Sequence, residues 1–470
     1  MSTTTGKPTP KTATTGSATT EDATGGTPPS VTSAAAALDG FLASAGGDGR
    51  RPGLRYLRRK PGRGLVAVFG SAGDGEVYTV SVEEAALSGV AGSAPAQGPT
   101  VRRFPDDPQL PHLATAMTPS AHAEVAEALE ALARRVHGVP PSYQLCGIDA
   151  EPLRYKPGDR CVLRYRLRFA PRDESGSGTG PRTHTLVAKL YRDRAEAERA
   201  DELLRRLGSE AAITWTARPL GLLGHLPLAV TEDLGSARDA VPATSGLDVI
   251  RPGDPRAGDA VRAAARALAD LHTSSVATQG CADRTGEDEA GKATKRAKTL
   301  QRYVPDLTPE IAEVVDVLSR TLTGLSDDGL RPAHGSYKPS QLMVRAGQVF
   351  LVDFDQFCLA DPALDVGYFL AYLRPSGLWY RRAGRRAWFD DAAAVFVSAY
   401  TQRLAERGVS SAVSTAIVGR SHVFTAALLL KIAARRANRL HSPRPGEVAA
   451  VLQEVRRCLA TAEQSGVAVG

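Results

Sequence analysis

The chain has 470 residues, of which 42% are hydrophobic and 23% charged, so its length and composition are those of a soluble globular protein with two or three domains or lobes. No apolar run reaches the roughly 20 residues of a membrane-spanning helix, and the longest candidate, Val423 to Ala434, contains Lys431, so no membrane partner is expected. The net charge of +7 does not indicate a nucleic-acid partner, because the arginines are spread along the chain with acids nearby and no DNA- or RNA-reading motif occurs.

The N-terminal part of the chain divides into a tail and a hairpin. Residues 1–48 are rich in Thr, Ser, Gly, Pro and Ala and contain few large apolar side chains. Such a segment cannot bury enough apolar surface to offset the entropy of ordering, so it is predicted to be disordered. The folded region is predicted to begin with a β-hairpin, in which Leu65–Phe69 and Val77–Val80 flank a turn at Gly73-Asp74-Gly75.

An amphipathic helix and an antiparallel β-meander are predicted next. Thr118 and Pro119 are typical of a helix start. Apolar residues then recur at helical spacing, at Val125, Leu129, Leu132 and Val136. Three β-rich runs separated by turn residues follow, covering Tyr143–Tyr155, Cys161–Phe169 and Thr185–Tyr191. This order predicts a β-rich lobe.

The next segment leads from the β-rich lobe into a helical one. Asp193 with Glu196 three residues later is typical of a capped helix start, and this helix is expected to reach about Leu207. From Asp259 onward the apolar periodicity is mainly helical. The polar segment Ser274–Lys298, whose acidic half precedes a basic half, is predicted to be a flexible loop that enters a helix.

Further helices are predicted beyond Asp365. They cover Val366–Leu373, Trp388–Ala405, Ser411–Leu440 and Glu447–Ala462. The whole pattern therefore predicts an α+β fold, with a β-rich N-terminal lobe followed by an α-rich C-terminal lobe.

The central motif of the chain is a polar loop followed by two short apolar strands. The loop runs from His334 to Gln341, and the strands are joined by a turn at Gly347. The second strand ends in Asp353-Phe354-Asp355. A loop followed by a hairpin that ends in carboxylates is the layout of a kinase catalytic loop and its metal-binding segment.

This order of elements resembles the aminoglycoside phosphotransferase family. The resemblance covers about residues 143–440 and is strongest in the central motif, in Ala267–His272 and in Asp361–Gly367. It implies a two-lobed protein-kinase-like fold and ATP-dependent, Mg²⁺-assisted phosphoryl transfer to a hydroxyl of a small molecule. The expected organisation is a disordered tail, an N-terminal extension packed on the first lobe, the N-lobe and a helical C-lobe, covering residues 1–48, 49–142, 143–235 and 236–470.

In the first lobe, the resemblance implies that Lys189 contacts the nucleotide phosphates and pairs with a carboxylate of the next helix. Lys189 lies between apolar neighbours on a strand; the alternative is a solvent-facing lysine. Glu198 and Glu202 lie one helical turn apart and share a face. Glu202 is the preferred partner because it directly precedes Leu203-Leu204; the alternative is that both glutamates are solvated.

Two further parts of the first lobe are implied to contact the nucleotide. The Pro157-Gly158-Asp159-Arg160 turn offers backbone amides or Arg160 to cover phosphates, and the alternative is a plain hairpin turn. Glu232 and Leu234 are expected to lie at the hinge, where backbone groups would face the adenine edge.

In the second lobe, Asp353 is the implied Mg²⁺ ligand, because it is a hard carboxylate at the end of an apolar strand. Gln341 is expected to offer its amide oxygen as a second ligand. Asp355 is expected either to assist or to cap the following loop. Asp361 and Asp365 are expected to serve structure by fixing the loop before the next helix.

Ser336 departs from the family pattern, in which this position is an Asp that accepts or orients the acceptor's proton. A serine hydroxyl is not a comparable base at neutral pH, and a general base typically contributes about 10²–10⁴-fold to the rate. Lys338 is expected to neutralise the transferring phosphate; the alternative is an exposed loop cation. Ser336, Lys338 and His334 are the candidate catalytic residues.

Two functions follow from this pattern. The first is an ATP-dependent phosphotransferase of low activity, and the alternative is a pseudokinase that binds nucleotide or a partner protein without turnover. A neutral or anionic hydroxylated substrate is favoured over a polycationic aminoglycoside, because arginines outnumber acids in the C-terminal helices. The arginines include Arg381, Arg382, Arg385, Arg386, Arg435 and Arg436, and the acids are Asp390, Asp391 and Glu406.

The cysteines indicate the compartment. The chain has five cysteines, which are scattered, odd in number and show no C-x-x-C spacing. This pattern argues against a disulfide framework or a zinc site. The N-terminus also lacks the basic start and apolar core of a secretory signal. A reducing cytoplasm is the expected location.

Overall fold

The computed structural model describes residues 29–44, 52–60, 64–70, 76–83, 99–172, 180–210, 213–235, 241–327, 329–374, 385–437 and 445–470. Within these residues, strands dominate up to Glu232 and helices dominate after it. The predicted α+β fold, with a β-rich N-terminal lobe and a helical C-terminal lobe, is therefore confirmed.

The first unit is a four-stranded antiparallel sheet covered by a helix. Its elements are α1 (Pro29–Ser44), β1 (Gly53–Lys60), β2 (Gly64–Gly70), β3 (Val77–Val82) and β4 (Thr100–Arg103), with the strands in sequence order. The predicted hairpin is β2 and β3; its turn at 73–75 lies outside the described residues.

The disorder predicted for residues 1–48 is wrong for residues 29–44, which form α1. Ala34 and Leu38 of this helix are fully buried against the sheet, and Phe41 packs beside them. The small number of apolar residues is sufficient because they fall on one face of an alanine-rich helix. The rest of the predicted tail lies outside the described residues.

The N-lobe proper is a five-stranded antiparallel sheet with three helices, two before its first strand and one between its third and fourth strands along the chain. Its elements are α2 (Leu113–Met117), α3 (Ala123–His137), β5 (Tyr143–Lys156), β6 (Arg160–Pro171), β7 (Arg182–Leu190), α4 (Arg194–Ser209), β8 (Pro219–Leu222) and β9 (Leu228–Glu232). The strand order is β5-β6-β7-β9-β8, so the predicted meander is confirmed. The predicted cap of α4 is also confirmed, because the Asp193 carboxylate accepts a hydrogen bond from Glu196 N at 2.8 Å.

The helix α3 covers this sheet rather than extending it. Val125 and Leu129 of α3 are buried in one apolar core with Leu163 and Leu186 of the central strands. That core begins at Leu110, so the second half of the predicted extension packs as part of the first lobe. The hairpin and α1 form a separate apolar cluster.

The C-lobe is built mainly from helices. Its elements are β10 (Thr244–Ser245), α5 (Gly246–Val249), α6 (Ala257–His272), β11 (Asp283–Arg284), α7 (Gly286–Tyr303), α8 (Thr308–Thr323), β12 (Arg331–Ala333), β13 (Leu342–Arg345), β14 (Gln348–Leu351), β15 (Cys358–Ala360), α9 (Ala363–Leu373), α10 (Arg385–Glu406), α11 (Ser411–Ala437) and α12 (Pro445–Gln464). The helices predicted beyond Asp365 are confirmed.

The polar segment Ser274–Lys298 is more ordered than predicted. Thr285 begins α7 with a capping box that includes Asp288, and both the acidic and the basic half then lie in this helix. The prediction of a flexible loop missed this cap, in which the acids of the first turn also complement the helix dipole.

Helix α11 forms the centre of the C-lobe. By length and composition it could cross a membrane, with a mean hydropathy of 1.4 over its most apolar window. This helix was missed in the sequence because only continuous apolar runs were considered there. However, 67% of that window is buried inside the protein, as in the core helix of a soluble protein. The described cysteines are all free, so no disulfide links these elements.

A buried carboxylate joins three elements of the C-lobe. Glu289 of α7 is fully buried, and its Oε1 accepts hydrogen bonds from Arg284 Nε of β11 at 2.7 Å and from Lys292 Nζ at 2.8 Å. Arg296 lies 3.9 Å from the other oxygen and donates to the Ala427 carbonyl of α11 at 3.2 Å. Burial alone would raise the pKa of Glu289, but Arg284 and Lys292 lower it to about 2.

We expect Glu289→Gln to lower the free energy of unfolding by about 3 kcal/mol at neutral pH, from the difference between the folded pKa and the ordinary value of 4.5. Because the folded pKa is depressed, this stability is present above the ordinary value and is lost as the pH falls toward 2. Chemical denaturation of both proteins at about pH 7 and about pH 3 measures the difference.

The matched control is Glu287→Gln, which removes an exposed acid from the first turn of the same helix and should change stability by about 0.5 kcal/mol. Two results would contradict the role of Glu289 as a stabilising buried carboxylate. One is an equal loss of stability in both variants, and the other is a loss in Glu289→Gln that is as large at about pH 3 as at about pH 7.

Candidate active site

The predicted catalytic loop is held by the buried carboxylate of Asp365. Its Oδ2 accepts a hydrogen bond from His334 N at 2.6 Å, and its Oδ1 accepts one from Tyr337 N at 3.4 Å. His272 Nε2 lies 3.6 Å from Oδ2. Burial alone would raise the pKa of Asp365, but His272 and the His334 amide lower it. The predicted structural role of Asp365 is confirmed, but the loop that it fixes is the catalytic loop rather than the loop before the next helix.

Asp361 fixes the same region from the other side. Its Oδ1 accepts a hydrogen bond from Ala363 N at 2.9 Å at the start of α9, and its carboxylate pairs with Arg420 of α11. The predicted structural role of Asp361 is therefore also confirmed.

Gly335 allows the loop to pass close to the metal-binding segment. Its φ is +71°, and a Cβ built there would lie 2.0 Å from the Gln356 carbonyl oxygen. Only glycine fits both conditions, because it has no Cβ and accepts the left-handed conformation. This close approach places Ser336 beside Gln341.

Ser336 is buried in a chain of polar groups that ends at Asp353. The Ser336 hydroxyl donates to Gln341 Oε1 at 3.1 Å, and Gln341 Nε2 donates to Asp353 Oδ2 at 3.1 Å. His334 Nε2 lies 3.2 Å from the Val352 carbonyl, which requires a donor there, so Nδ1 carries no proton. Nδ1 lies 3.5 Å from Ser336 Oγ, whose single proton is already donated to Gln341. Burial lowers the pKa of His334, so the ring is neutral.

This arrangement bears on the predicted role of Gln341. Since Asp353 only accepts hydrogen bonds, the Gln341 amide nitrogen faces it and the amide oxygen faces Ser336. Gln341 would have to turn its amide to ligate a metal ion. Its role as a second ligand stays a prediction.

Asp353 and Asp355 converge on Lys189. Lys189 Nζ lies 2.7 Å from Asp353 Oδ1 and 2.6 Å from Asp355 Oδ1, and Tyr191 OH donates to Asp355 Oδ1 at 3.2 Å. Burial alone would raise the pKa of Asp353, but Lys189, Gln341 and Arg160 hold it well below its usual range. Asp355 therefore belongs to the site and does more than cap the following loop.

The backbone of Asp353 adopts an uncommon conformation. Its φ is +68°, in the left-handed region that non-glycine residues rarely adopt. Such a conformation costs roughly 1–2 kcal/mol and persists only where the surroundings fix it. Here it directs the carboxylate out of the end of β14 toward the first lobe.

The predicted Lys189–Glu202 pair is not formed. Lys189 pairs with the two aspartates, whereas Glu202 is half exposed and pairs with Arg206 of its own helix at 3.3 Å. The face of α4 that packs on the sheet contains Ala197 and the buried Asp201, four residues apart. Glu202 is one residue further along, about 100° around the helix, and so points to solvent.

The turn between β5 and β6 reaches the same carboxylates. Arg160 pairs with Asp355, and its Nη1 lies 3.7 Å from Asp353 Oδ1. The turn is held by Asp107, whose Oδ2 accepts from Gly158 N at 2.7 Å and from Tyr155 OH at 2.8 Å. The turn therefore reaches the carboxylates of the candidate site through Arg160, and its contact with phosphates stays a prediction.

The hinge residues lie at an apolar patch between the lobes. Leu234 is buried with Phe350, and Met343 and Val352 pack against them. The Leu234 carbonyl accepts a hydrogen bond from Ala243 N at 3.1 Å. Glu232 Oε1 accepts one from Arg218 N at 2.9 Å, so its side chain fixes the strand pair β8–β9. Their contact with an adenine stays a prediction.

Lys338 is half-buried beside the loop rather than exposed. Its Nζ donates to the Ser336 carbonyl at 3.3 Å and lies 5.7 Å from the centre of the Tyr372 ring. Burial lowers its pKa to about 8, and Arg435 adds to this effect, while Asp353 opposes it.

Two residues of the site were missed from the sequence. Tyr191 lies two residues after Lys189, so the strand period of two could have placed both on one face. Asp107 lies about fifty residues before the turn that it holds, and no local pattern connects them.

The residues of the site fit a metal ion that is bound partly by substrate phosphates, as magnesium usually is, better than one held by protein side chains alone. Among the described residues, no group of three or more His, Cys, Asp or Glu side chains is positioned to hold a metal ion. Magnesium is usually bound by one or two carboxylates together with substrate phosphates. Asp353 and Asp355, which approach one ammonium, match that requirement.

We expect Gly335→Ala to lower the free energy of unfolding by roughly 2–4 kcal/mol, because the methyl group meets the Gln356 carbonyl in addition to the left-handed φ. The matched control is Gly347→Ala, which has a φ of +79° and nothing within 4 Å of the new Cβ. It should cost only about 1 kcal/mol. Thermal denaturation compares them, and equal losses would show that the close approach at Gly335 is unimportant.

Comparisons with known proteins give one family and several structures. A model of the phosphotransferase enzyme family matches residues 176–408. No curated protein sequence matches the chain.

Three of the similar solved structures illustrate the range of sequence identity and coverage. A glucosamine kinase is 19% identical, over 93% of this chain and 98% of that chain, with a TM-score of 0.43. A choline kinase from Cryptosporidium parvum is 11% identical over 73% and 98%, with a TM-score of 0.47. A macrolide 2'-phosphotransferase from Brachybacterium faecium is 19% identical over 70% and 98%, with a TM-score of 0.37.

The family match includes Lys189 and the whole catalytic loop of the candidate site, but not the turn at Arg160. It begins before β7, which contains Lys189, and ends after the segment from His334 to Asp365. Through residues 176–408, this chain belongs to the phosphotransferase enzyme family that its motifs resemble.

Proposed function

We propose that this protein transfers a phosphoryl group from ATP to a hydroxyl of a small molecule, at a low rate. The observation that supports this most is the meeting of Lys189 from the first lobe with Asp353 and Asp355 from the second. Phosphoryl transfer depends mainly on positioning and on neutralising phosphate charge, and this cluster offers both a cation and metal-binding carboxylates.

The two aspartates would hold Mg²⁺, which when bound neutralises phosphate charge. Lys189 and Arg160, which now pair with these carboxylates, would then be free to contact the phosphates. The apolar patch at Leu234, Met343 and Val352 suits an adenine ring, because it lies in the cleft beside the same strands. Lys189 is half-buried, so its charge is poorly screened by water.

The acceptor side of the site lacks a base. Ser336 occupies the expected position, and its hydroxyl is a weak base that already donates to Gln341. Lys338, whose Nζ is held at the Ser336 carbonyl, would face the transferring group. Positioning and charge neutralisation alone would support only slow transfer.

The alternative is a pseudokinase that binds nucleotide, or a partner protein, without turnover. The burial of Ser336 in the chain of polar groups to Asp353 favours this alternative, because the loop is complete without an acceptor. A cytoplasmic location remains our prediction for either function.

We expect Mg-ATP at about 100 times its dissociation constant to stabilise the protein by about 2.7 kcal/mol, which raises its Tm by about 3 °C or more. Asp353→Ala should remove this shift, because it removes the central carboxylate. The control is Glu202→Gln, which alters the glutamate first expected to pair with Lys189 but lies outside the cluster. Differential scanning fluorimetry with and without Mg²⁺ measures all three proteins.

A shift that survives Asp353→Ala would show that the metal site is misassigned. A loss of the shift in Glu202→Gln would restore Glu202 as the partner of Lys189. No shift with any nucleotide in the unaltered protein would exclude both the phosphotransferase and the nucleotide-binding pseudokinase.

We expect Ser336→Asp to raise the rate of ADP release from Mg-ATP by at least about 10-fold, since a general base is typically worth about 10²–10⁴. Water is the acceptor in this assay, so no substrate need be known. Ser340→Asp adds the same charge to the same loop and should leave the rate unchanged. If neither the unaltered protein nor Ser336→Asp releases ADP although both bind Mg-ATP, the pseudokinase is the correct description.

A further inference from the structure

A basic and aromatic surface lies directly beside the catalytic loop. Tyr368 and Tyr372 of α9 are four residues apart, and their rings stack at 6.1 Å with an angle of 12°. Lys431 and Arg435 of α11 are also four residues apart. Lys431 faces Tyr368, and Arg435 faces Tyr372. We call Lys338, Tyr372, Lys431 and Arg435, together with the buried Tyr368 on which Lys431 packs, the basic surface.

The contacts of the basic surface pair each cation with a tyrosine. Lys431 Nζ lies 4.5 Å from the centre of the Tyr368 ring and donates to its hydroxyl. Arg435 Nη1 donates to Tyr372 OH at 3.1 Å. Lys338 approaches the same Tyr372 ring from the catalytic loop, at 5.7 Å.

A second set of contacts connects the basic surface to the loop backbone. Arg284 Nη1 donates to the Gly335 carbonyl at 2.6 Å, and its Nη2 lies 3.4 Å from Tyr368 OH. A small molecule with a hydroxyl at Ser336 would therefore lie against the basic surface. The surface is part of the acceptor side of the proposed site, and its Lys338 is close enough to Asp353 for that carboxylate to act on the pKa of Lys338.

The cations of the basic surface have no acidic partners. Within the described part of the chain, none of Lys338, Lys431 and Arg435 forms an ion pair with a carboxylate. The nearby acid, Glu289, already pairs with Arg284, Lys292 and Arg296. Lysine and arginine side chains that are largely buried for a structural role normally have an acidic partner, which these three lack.

Other arginines of the C-terminal helices behave differently. Arg386 pairs with Asp390 and Glu454, and Arg436 pairs with Glu447. Arg381 and Arg382 lie outside the described residues, as does the side chain of Arg385. Six arginines were the reason to disfavour an aminoglycoside as the substrate. Among those whose side chains the structure describes, Arg435 faces the catalytic loop and pairs with no carboxylate.

We propose that the basic surface binds the carboxylate or phosphate group of an anionic, hydroxylated acceptor. The inference rests on the proposed phosphotransferase function and names the class of its substrate. Lysine and arginine nitrogens with tyrosine hydroxyls supply charge-assisted donors to the anion. The same surface would repel a cationic amine.

A change in the protonation of Lys431 would give a second measurable effect of such binding. Burial lowers the pKa of Lys431 to about 5, and Arg435, Arg296 and Arg284 add to this effect, while Glu289 opposes it. At neutral pH the amine is therefore mostly uncharged in the free protein. An anion bound beside it would raise this pKa, so binding at neutral pH should take up protons.

The test compares four sugars that share hydroxyl groups but differ in charge. Glucose 6-phosphate and glucuronate carry a phosphate and a carboxylate, glucose is neutral and glucosamine is cationic. Isothermal titration of the full chain, saturated with a non-hydrolysable ATP analogue and Mg²⁺, measures each affinity. We expect at least one anion to bind about 10-fold or more tightly than glucose, and glucosamine to bind most weakly. The anion that binds more tightly shows whether the surface prefers a phosphate group or a carboxylate group.

Variants connect this preference to the basic surface. Arg435→Gln and Lys431→Met should each lower the affinity for the anion by about 10-fold while leaving that for glucose unchanged. Lys431→Met keeps the length of the side chain and removes the buried amine, so the fold should be retained. The matched control is Arg436→Gln, the next residue of the same helix, which faces Glu447. Titrations in buffers of different ionisation enthalpy should show proton uptake, which Lys431→Met abolishes.

Three outcomes overturn the inference: neither anion binds more tightly than glucose, glucosamine binds best, or Arg436→Gln has the same effect as Arg435→Gln. The same titrations without nucleotide separate this inference from the proposed function. Anion binding to the basic surface without any Mg-ATP binding would contradict the phosphotransferase alone. Mg-ATP binding that depends on Asp353, without anion preference, would contradict the inference alone.

Discussion

The carboxylate of Asp365 is the constraint on which the second half of the site depends. It is fully buried, and it accepts hydrogen bonds from the amides of His334 and Tyr337, at the two sides of Gly335. Because both amides share one carboxylate, the chain between them must turn sharply, and the left-handed conformation of Gly335 follows. That turn sets Ser336 next to Gln341, which in turn contacts Asp353. One buried charge thus fixes the positions of groups that lie on separate elements.

Local patterns in the sequence were sufficient for much of the fold and for part of the site. The meander and the Asp193 cap depend on neighbours in sequence, and Asp353 was recognisable at the end of its strand. The partner of Lys189 was not recognisable from the sequence. Consecutive residues on a helix point about 100° apart, and the sequence did not fix which face of α4 packs on the sheet. The pairing of Lys189 with Asp355 joins residues 166 positions apart, and only the folded chain reveals it.

The region before residue 143 affects the site through Asp107. This residue holds Gly158 and Tyr155, and thereby the turn from which Arg160 reaches Asp355 and Asp353. A Cβ at Gly158 would lie 2.3 Å from Gln109 Oε1, so the turn and the preceding segment are closely packed. Through these contacts, the N-terminal extension acts as a support for the turn. A motif search confined to the kinase-like part misses this support.

The serine at position 336 and the basic surface have a common physical explanation under the proposed function. A carboxylate at position 336 would lie beside Gln341 and Asp353 and would add negative charge where Lys338 approaches the loop. An anion held by Lys431 and Arg435 would then meet that charge at close range in a poorly solvated site, where repulsion is strong. In the proposed reaction, serine would avoid this repulsion but supply no base, so acceptor affinity would be retained at the expense of rate. On this proposal, the missing carboxylate and the basic surface are two parts of one arrangement that suits an anionic acceptor.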